Sequence, residues 1–233
     1  MSNSLLSPIK ALIFDFDGTL VDTKRYYFQL IADYLCLDLN QVLQAVELTT
    51  FSNINHKETN VKWKIIKASF SASRFLGFGR FKSLRAALYL SRNHSKYFSK
   101  ARPTSNAKDA IKILSSSGIK LAILSHSSRN KIEIFLQTYF EEDRFFEFEN
   151  ILASGEFGKD KRKGLAQFVK QFGFETSMCG IVGDLGGDIL TGKSLGLKTF
   201  GVITGYSSKK ILIQASPDMI FEDLLSLANY LVD

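Results

Sequence analysis

The stretch KALIFDFDGT, Lys10 to Thr19, decides the fold. Its apolar part is too short to hold as a helix and is broken by Asp17-Gly18, so it reads as a buried strand that ends in polar residues. Working outward, similar apolar runs recur at Ile119–Ser125 (IKLAILS), Cys179–Gly183 (CGIVG) and Lys198–Ile203 (KTFGVI). Helical patterns precede two of them. Ala107, Ala110, Ile111 and Leu114 fall at helical spacing before Gly118, and Leu165, Phe168, Val169 and Phe172 repeat that spacing before Gly173. Strands alternating with amphipathic helices predict an α/β fold, an open parallel sheet with helices on both faces.

Between Val21 and Arg102 this rhythm breaks. Phe28, Ile31, Ala32 and Leu35 form a helical stripe, Trp63–Phe70 has a helical pattern, and Phe81, Leu84, Ala87 and Leu88 form another stripe. No strand is evident among them, and Gly77-Phe78-Gly79 reads as a bend between helices. The segment is therefore expected to be an all-helical insertion, residues 21–102, closed by Arg102-Pro103. Residues 1–20 and 103–233 remain for the α/β body. Charge marks the same segment. The chain carries +7 overall, and residues 21–102 hold fourteen basic against five acidic residues, a net +9 that leaves −2 for the rest.

The 233 residues are 45% hydrophobic and 23% charged, values that exclude a disordered or fibrous chain. Two cysteines, Cys36 and Cys179, cannot build a disulfide framework, and no Cys/His spacing suggests zinc. With no signal-like leader and no long uncharged apolar run, a cytoplasmic setting is expected.

In open α/β sheets the ligand crevice lies beyond the carboxyl ends of the strands, so the polar residues that end each run matter most. These are Asp15-Phe16-Asp17-Gly18-Thr19, Ser125, and Gly183-Asp184 followed by Asp188. Alternation along an extended chain puts Asp15 and Asp17 on one side, and Asp184 and Asp188 lie a turn apart if a helix starts there. Four gathered carboxylates repel one another unless a divalent cation with oxygen ligands, Mg2+ above all, sits among them. Singly, each residue has a structural explanation as a turn, a cap or a first-turn acid.

In their joint order these residues resemble the haloacid dehalogenase-like (HAD) hydrolases. IFDFDGTLVDT, LAILSHSS, a lysine near Gly158, and IVGDLGGDI match the family's four motifs, and DILTGKSLGLKTFGVITGYSS extends the match. The similarity is strongest to the phosphoglycolate phosphatase-like branch, whose cap is inserted after the first motif. It implies a Rossmann-like core with a helical cap and a Mg2+-dependent phosphatase acting on a small anionic phosphate ester. By that resemblance Asp15 is the nucleophile and Asp17 the general acid and base. Mg2+ is held by Asp15, the backbone carbonyl of Asp17 and Asp184, with Asp188 in support. Ser125 contacts the phosphoryl group, and Thr19 belongs to the phosphate-binding set. Aligning Gly173 on the family's helix-end glycine favours Lys159 as the phosphoryl-binding lysine; Lys161 and Lys163 nearby are the alternatives, and whichever residues do not take the role read as a solvated charge run.

His126 stands where similar sequences often have Asn, and is a candidate substrate contact or a surface histidine. Arg85 and Arg92 fall within the Phe81–Leu88 stripe, either gripping an anionic substrate or snorkelling with their heads in water. The alternatives are a phosphomutase of the same superfamily, or a nucleic-acid- or membrane-binding protein that uses the basic helical segment on a HAD-like scaffold. Nucleic acid and membrane are not expected as partners, because charge localisation alone is a weak partner signal. A monomer or homodimer is expected.

Overall fold

A computed structural model describes residues 8–49, 61–93, 98–140, 145–158 and 160–232. Six strands pair in parallel: β1 (Ala11–Phe14), β2 (Lys120–Leu124), β3 (Ile151–Leu152), β4 (Cys179–Gly183), β5 (Lys198–Val202) and β6 (Met219–Phe221). Their order across the sheet is β3-β2-β1-β4-β5-β6. β1 is central, with Phe14 in register with Ile123 on one side and Val182 on the other. All four β1 residues are buried, as a strand covered on both faces requires. The α/β parallel sheet expected from the sequence is what forms.

Among the described residues, the segment after β1 forms the α-helices α1 (Thr23–Leu35), α2 (Leu39–Thr49), α3 (Val61–Phe75) and α4 (Arg80–Asn93). α1 buries Phe28, Ile31, Ala32 and Leu35, the stripe its spacing predicts. Asp22 caps its start by accepting from the Arg25 backbone N–H at 3.0 Å, and Cys36 ends it in the left-handed region. α4 corrects the sequence reading. The expected inward stripe of Phe81, Leu84 and Leu88 is exposed, and the buried face is Ser83, Ala86, Ala87 and Leu90. The reason is steric. The facing positions of α3, Ala68, Ser69, Ala72 and Ser73, are equally small and fully buried. Small residues on both helices allow close approach, so the larger side chains of α4 are left outside.

The body adds α5 (Ala107–Ser116), α6 (Arg129–Phe140), α7 (Lys161–Phe172), α8 (Gly186–Ser194), α9 (Lys209–Gln214) and α10 (Leu224–Val232). Strand alternation divides the core. Leu12 and Phe14 pack with Ala107, Ala110, Ile111 and Leu114 of α5 and Leu224 and Leu227 of α10. Ala11 and Ile13 point to the other face, against Leu165, Phe168 and Phe172 of α7. Gly173 closes α7 at φ +69°, the left-handed geometry a helix end asks of glycine.

The two chain crossings between the helical segment and the sheet lie side by side. Val21 bridges to Pro103, the Asp22 N–H donates to the Arg102 carbonyl at 2.8 Å, and the Thr104 N–H donates to the Leu20 carbonyl at 3.0 Å. The Thr104 hydroxyl also donates to the Thr19 carbonyl at 2.7 Å. Tyr206 and Ile211, from the sheet body, pack into the apolar cluster of α1 and α2. No helix among the described residues is long and apolar enough to cross a membrane.

Candidate active site

Parallel pairing brings the ends of β1, β2 and β4 to one edge of the sheet. Asp15 follows β1, its N–H donating to the Val182 carbonyl at 2.8 Å, and Ser125 follows β2, its N–H donating to the Leu152 carbonyl at 3.0 Å. Asp184 follows β4, and Asp188 sits in the first turn of α8. Asp15, Asp184 and Asp188 are 5%, 0% and 3% exposed. One carboxylate oxygen from each lies within 4.8 Å of the others. Phe16, between Asp15 and Asp17, turns the opposite way into the core beside Phe98 and Phe135.

Glycines make room for this cluster. A Cβ on Gly205 would run into the Asp184 carboxylate, one on Gly18 would lie 2.6 Å from Asp184 Oδ2, and one on Gly183 would lie 2.6 Å from Asp188 Cβ. The loop after β5 supplies a donor, with the Tyr206 backbone N–H bonded to Asp184 Oδ2 at 2.6 Å. Among the described residues, no donor reaches the buried Asp184 Oδ1 or Asp188 Oδ2. Buried carboxylate oxygens without partners are costly, and an all-oxygen set of this kind fits a small hard cation such as Mg2+.

The lysine in this cluster is Lys161, the first residue of α7. Its ammonium donates to Asp15 Oδ1 at 2.6 Å and to Asp188 Oδ1 at 2.7 Å. Its side chain is 13% exposed, which corrects the reading of Lys161 as a solvated charge. Lys159 lies outside the described residues. Burial pushes the Asp15 carboxyl up to about 7, with Lys161 pulling it down and Asp188 adding to the rise. Asp184 is raised well above its ordinary value by burial and by the charges of Asp15 and Asp188. Lys161 is raised, because its two carboxylate partners outweigh its burial.

Asp17 lies in the same pocket without joining the ion pair. Burial raises its pKa, while Ser127, Lys131 and Lys161 each act to lower it. The Ser127 hydroxyl donates to Asp17 Oδ2 at 2.6 Å, leaving Oδ1 unpartnered. Ser125 Oγ, 1% exposed, accepts from the Ser127 N–H at 3.0 Å. Thr19 is fully buried with its hydroxyl unpaired.

His126 keeps an exposed edge, its ring 5.1 Å from that of Phe157, and partial loss of water around the ring, aided by the charge of Lys161, lowers its pKa. Arg85 and Arg92 are exposed on α4, and among the described residues no bond joins either to the carboxylate cluster. Sequence reasoning missed Ser127 and the Arg129 clamp. Arg129 grips Glu156 through two nitrogens, each at 2.6 Å, and also donates to the Ile151 carbonyl at 2.5 Å. That fork ties the start of α6 to the loop leading to Lys161. Its only sequence signal was opposite charge at long separation.

Residues 12–202 match the family of haloacid dehalogenase-like hydrolases. The chain is 26% identical over 227 residues to the phosphoglycolate phosphatase of Synechococcus elongatus, covering 96% of this chain and 99% of that one. It is 26% identical over 224 residues to the phosphoglycolate phosphatase of Colwellia psychrerythraea, covering 91% and 92%. A solved structure described as a predicted phosphoglycolate phosphatase from Haemophilus somnus superposes with a TM-score of 0.68 at 19% identity, covering 96% of this chain and 98% of that one. The last comparison speaks to the fold, and the match over residues 12–202 to the lineage: the chain belongs to the haloacid dehalogenase-like hydrolases.

Proposed function

We propose that the protein is a Mg2+-dependent phosphatase that hydrolyses a small phosphate monoester through an aspartyl-phosphate on Asp15. The observation that carries this reading is the buried group of Asp15, Asp184 and Asp188, two of which, Asp15 and Asp188, bind the ammonium of Lys161. The names of the relatives, phosphoglycolate phosphatases, favour a small anionic ester as substrate. Asp15, Asp184 and the Asp17 backbone carbonyl would hold Mg2+, with Asp188 supporting them. Bound there, the cation would offset the repulsion between a phosphate and a carboxylate nucleophile.

In this reading an oxygen of Asp15 attacks phosphorus, the bond from phosphorus to the leaving oxygen breaks, and Asp17 gives that oxygen its proton. Burial, which raises the Asp17 pKa above its ordinary value, favours the protonated form that an acid needs. Water then attacks the phosphoryl group, Asp17 takes back a proton, and phosphate leaves Asp15 free. Lys161 takes the charge-neutralising role that the sequence alignment gave to Lys159. Ser125 and Thr19, buried beside Asp15 and Asp17, would donate to phosphoryl oxygens. Residues 21–102 would act as a cap over residues 1–20 and 103–233, excluding water from the reacting groups.

Turnover of phosphate monoesters with and without EDTA tests the metal requirement, and the expected result is loss of activity when the cation is removed. Asp15→Asn should abolish turnover. Asp17→Asn should slow an alkyl phosphate far more than p-nitrophenyl phosphate, whose leaving group needs no proton; equal losses on both would remove Asp17 from the acid role.

A further inference from the structure

α4 carries its large apolar side chains on the outside. Phe81, Leu84 and Leu88 are 73%, 50% and 44% exposed, and Phe75 at the end of α3 is 59% exposed. At about 100° per residue, Phe81, Leu84, Arg85, Leu88 and Arg92 share one arc of the helix, so cations and apolar groups interleave on a single face. The Arg85 guanidinium lies 5.6 Å from the centre of the Phe81 ring, and Lys82 Nζ lies 4.4 Å from that of Phe78. The surrounding sequence has one sign of charge. From Thr59 to Lys108 there are twelve Lys and Arg residues and no Asp or Glu. Among the described residues, Arg80, Lys82, Arg85 and Arg92 make no ion pair with a carboxylate.

An exposed apolar patch rimmed by charge marks an interaction surface, and its chemistry selects the occupant. A second copy presenting the same face would set Arg85 and Arg92 against their own like charges. A nucleic acid would answer the cations and stack on Phe81, but it offers nothing to the aliphatic Leu84 and Leu88. An anionic bilayer answers both. Leu84, Leu88 and Phe81 enter the acyl boundary while the arginine and lysine heads stay among the lipid phosphates. We propose that the outer face of α4, together with the α3–α4 turn, is a docking surface for an anionic lipid bilayer. This reverses the expectation that a membrane is not a partner, and it stands independently of the catalytic reading.

The test is sedimentation of the full chain with vesicles of phosphatidylcholine alone and of phosphatidylcholine containing about 30% phosphatidylglycerol. Partitioning onto the anionic vesicles should be at least about tenfold stronger and should weaken as salt is added. The variant Phe81→Ser/Leu84→Ser/Leu88→Ser should lose about tenfold in partitioning, with an unchanged circular dichroism spectrum because none of the three belongs to the buried face of α4. Arg80→Glu/Lys82→Glu should lose anionic selectivity. Equal binding to both vesicles, binding to neither, or a triple serine variant that partitions like the parent overturns the proposal. So does salt-sensitive binding of a nucleic acid oligonucleotide in place of vesicles, or a concentration-dependent dimer that the serine variant abolishes.

Discussion

Lys161 bridges two carboxylates to which the proposed function gives different duties, Asp15 as nucleophile and Asp188 in support of the cation. Losing it removes a preorganised charge contact, so Lys161→Ala should lower kcat by about 10²–10³ with Mg2+ saturating. Lys163→Ala and Lys159→Ala, assayed beside it, should cost little; a dead Lys159→Ala with an active Lys161→Ala would return the role to the sequence alignment. Ser127 acts through Asp17. Its hydroxyl bond favours the ionised carboxylate, so Ser127→Ala lifts the Asp17 pKa further and the acid stays protonated to higher pH. The alkaline limb of the kcat/KM profile should therefore move upward in pH, and Ser127→Thr should restore it. At this scale the carboxylates were legible because each ends a strand, a position that topology converts into proximity. The lysine was not, because its register rested on one helix-end glycine, and two residues separate the buried Lys161 from Lys159, which lies outside the described residues.

The helices and strands were legible where their periodicity was strong. α5 and α7 bury the residues their spacing marks, apart from a half-buried Val169, and β1, β2, β4 and β5 fall on the apolar runs. β3 and β6 are two and three residues long, too short for any period to show. The face of α4 was misread because size was taken for burial, whereas close helix packing selects Ala and Ser. A related steric limit governs α8. A Cβ on Gly192 would press into Ile181 of β4 and Thr199 of β5. Gly192→Ala should destabilise the fold by about 1–3 kcal/mol through overpacking, despite the better helix propensity of alanine. Urea unfolding of the two proteins measures it; an equal or higher midpoint for the alanine variant would show that α8 can shift without cost.

Across the whole molecule, the buried carboxylates link stability to pH and, in the proposed function, to a bound cation. Asp15 moves from an ordinary 3.8 to about 7 on folding, so between these values the folded chain holds a proton that the unfolded chain releases. Its contribution to stability therefore falls as pH rises through that window. A cation in the cluster competes with protons, so it should stabilise the protein more at about pH 8 than at about pH 5. At a hundredfold excess over Kd the gain is about 2.7 kcal/mol, which corresponds to roughly 5–10 °C in Tm for a chain of this size. Thermal melts with and without MgCl2 at the two pH values read this directly, and an equal shift at both would break the link between the carboxylates and the ion. The paired crossings at Val21–Pro103 and Leu20–Thr104 carry a different consequence. Because entry and exit are stitched together, the helices between them could be exchanged as a cassette whose two ends meet the same short doorway and whose inner face fits Tyr206 and Ile211. Evolution can thus graft a new set of helices onto an unchanged sheet, and an engineer can do the same.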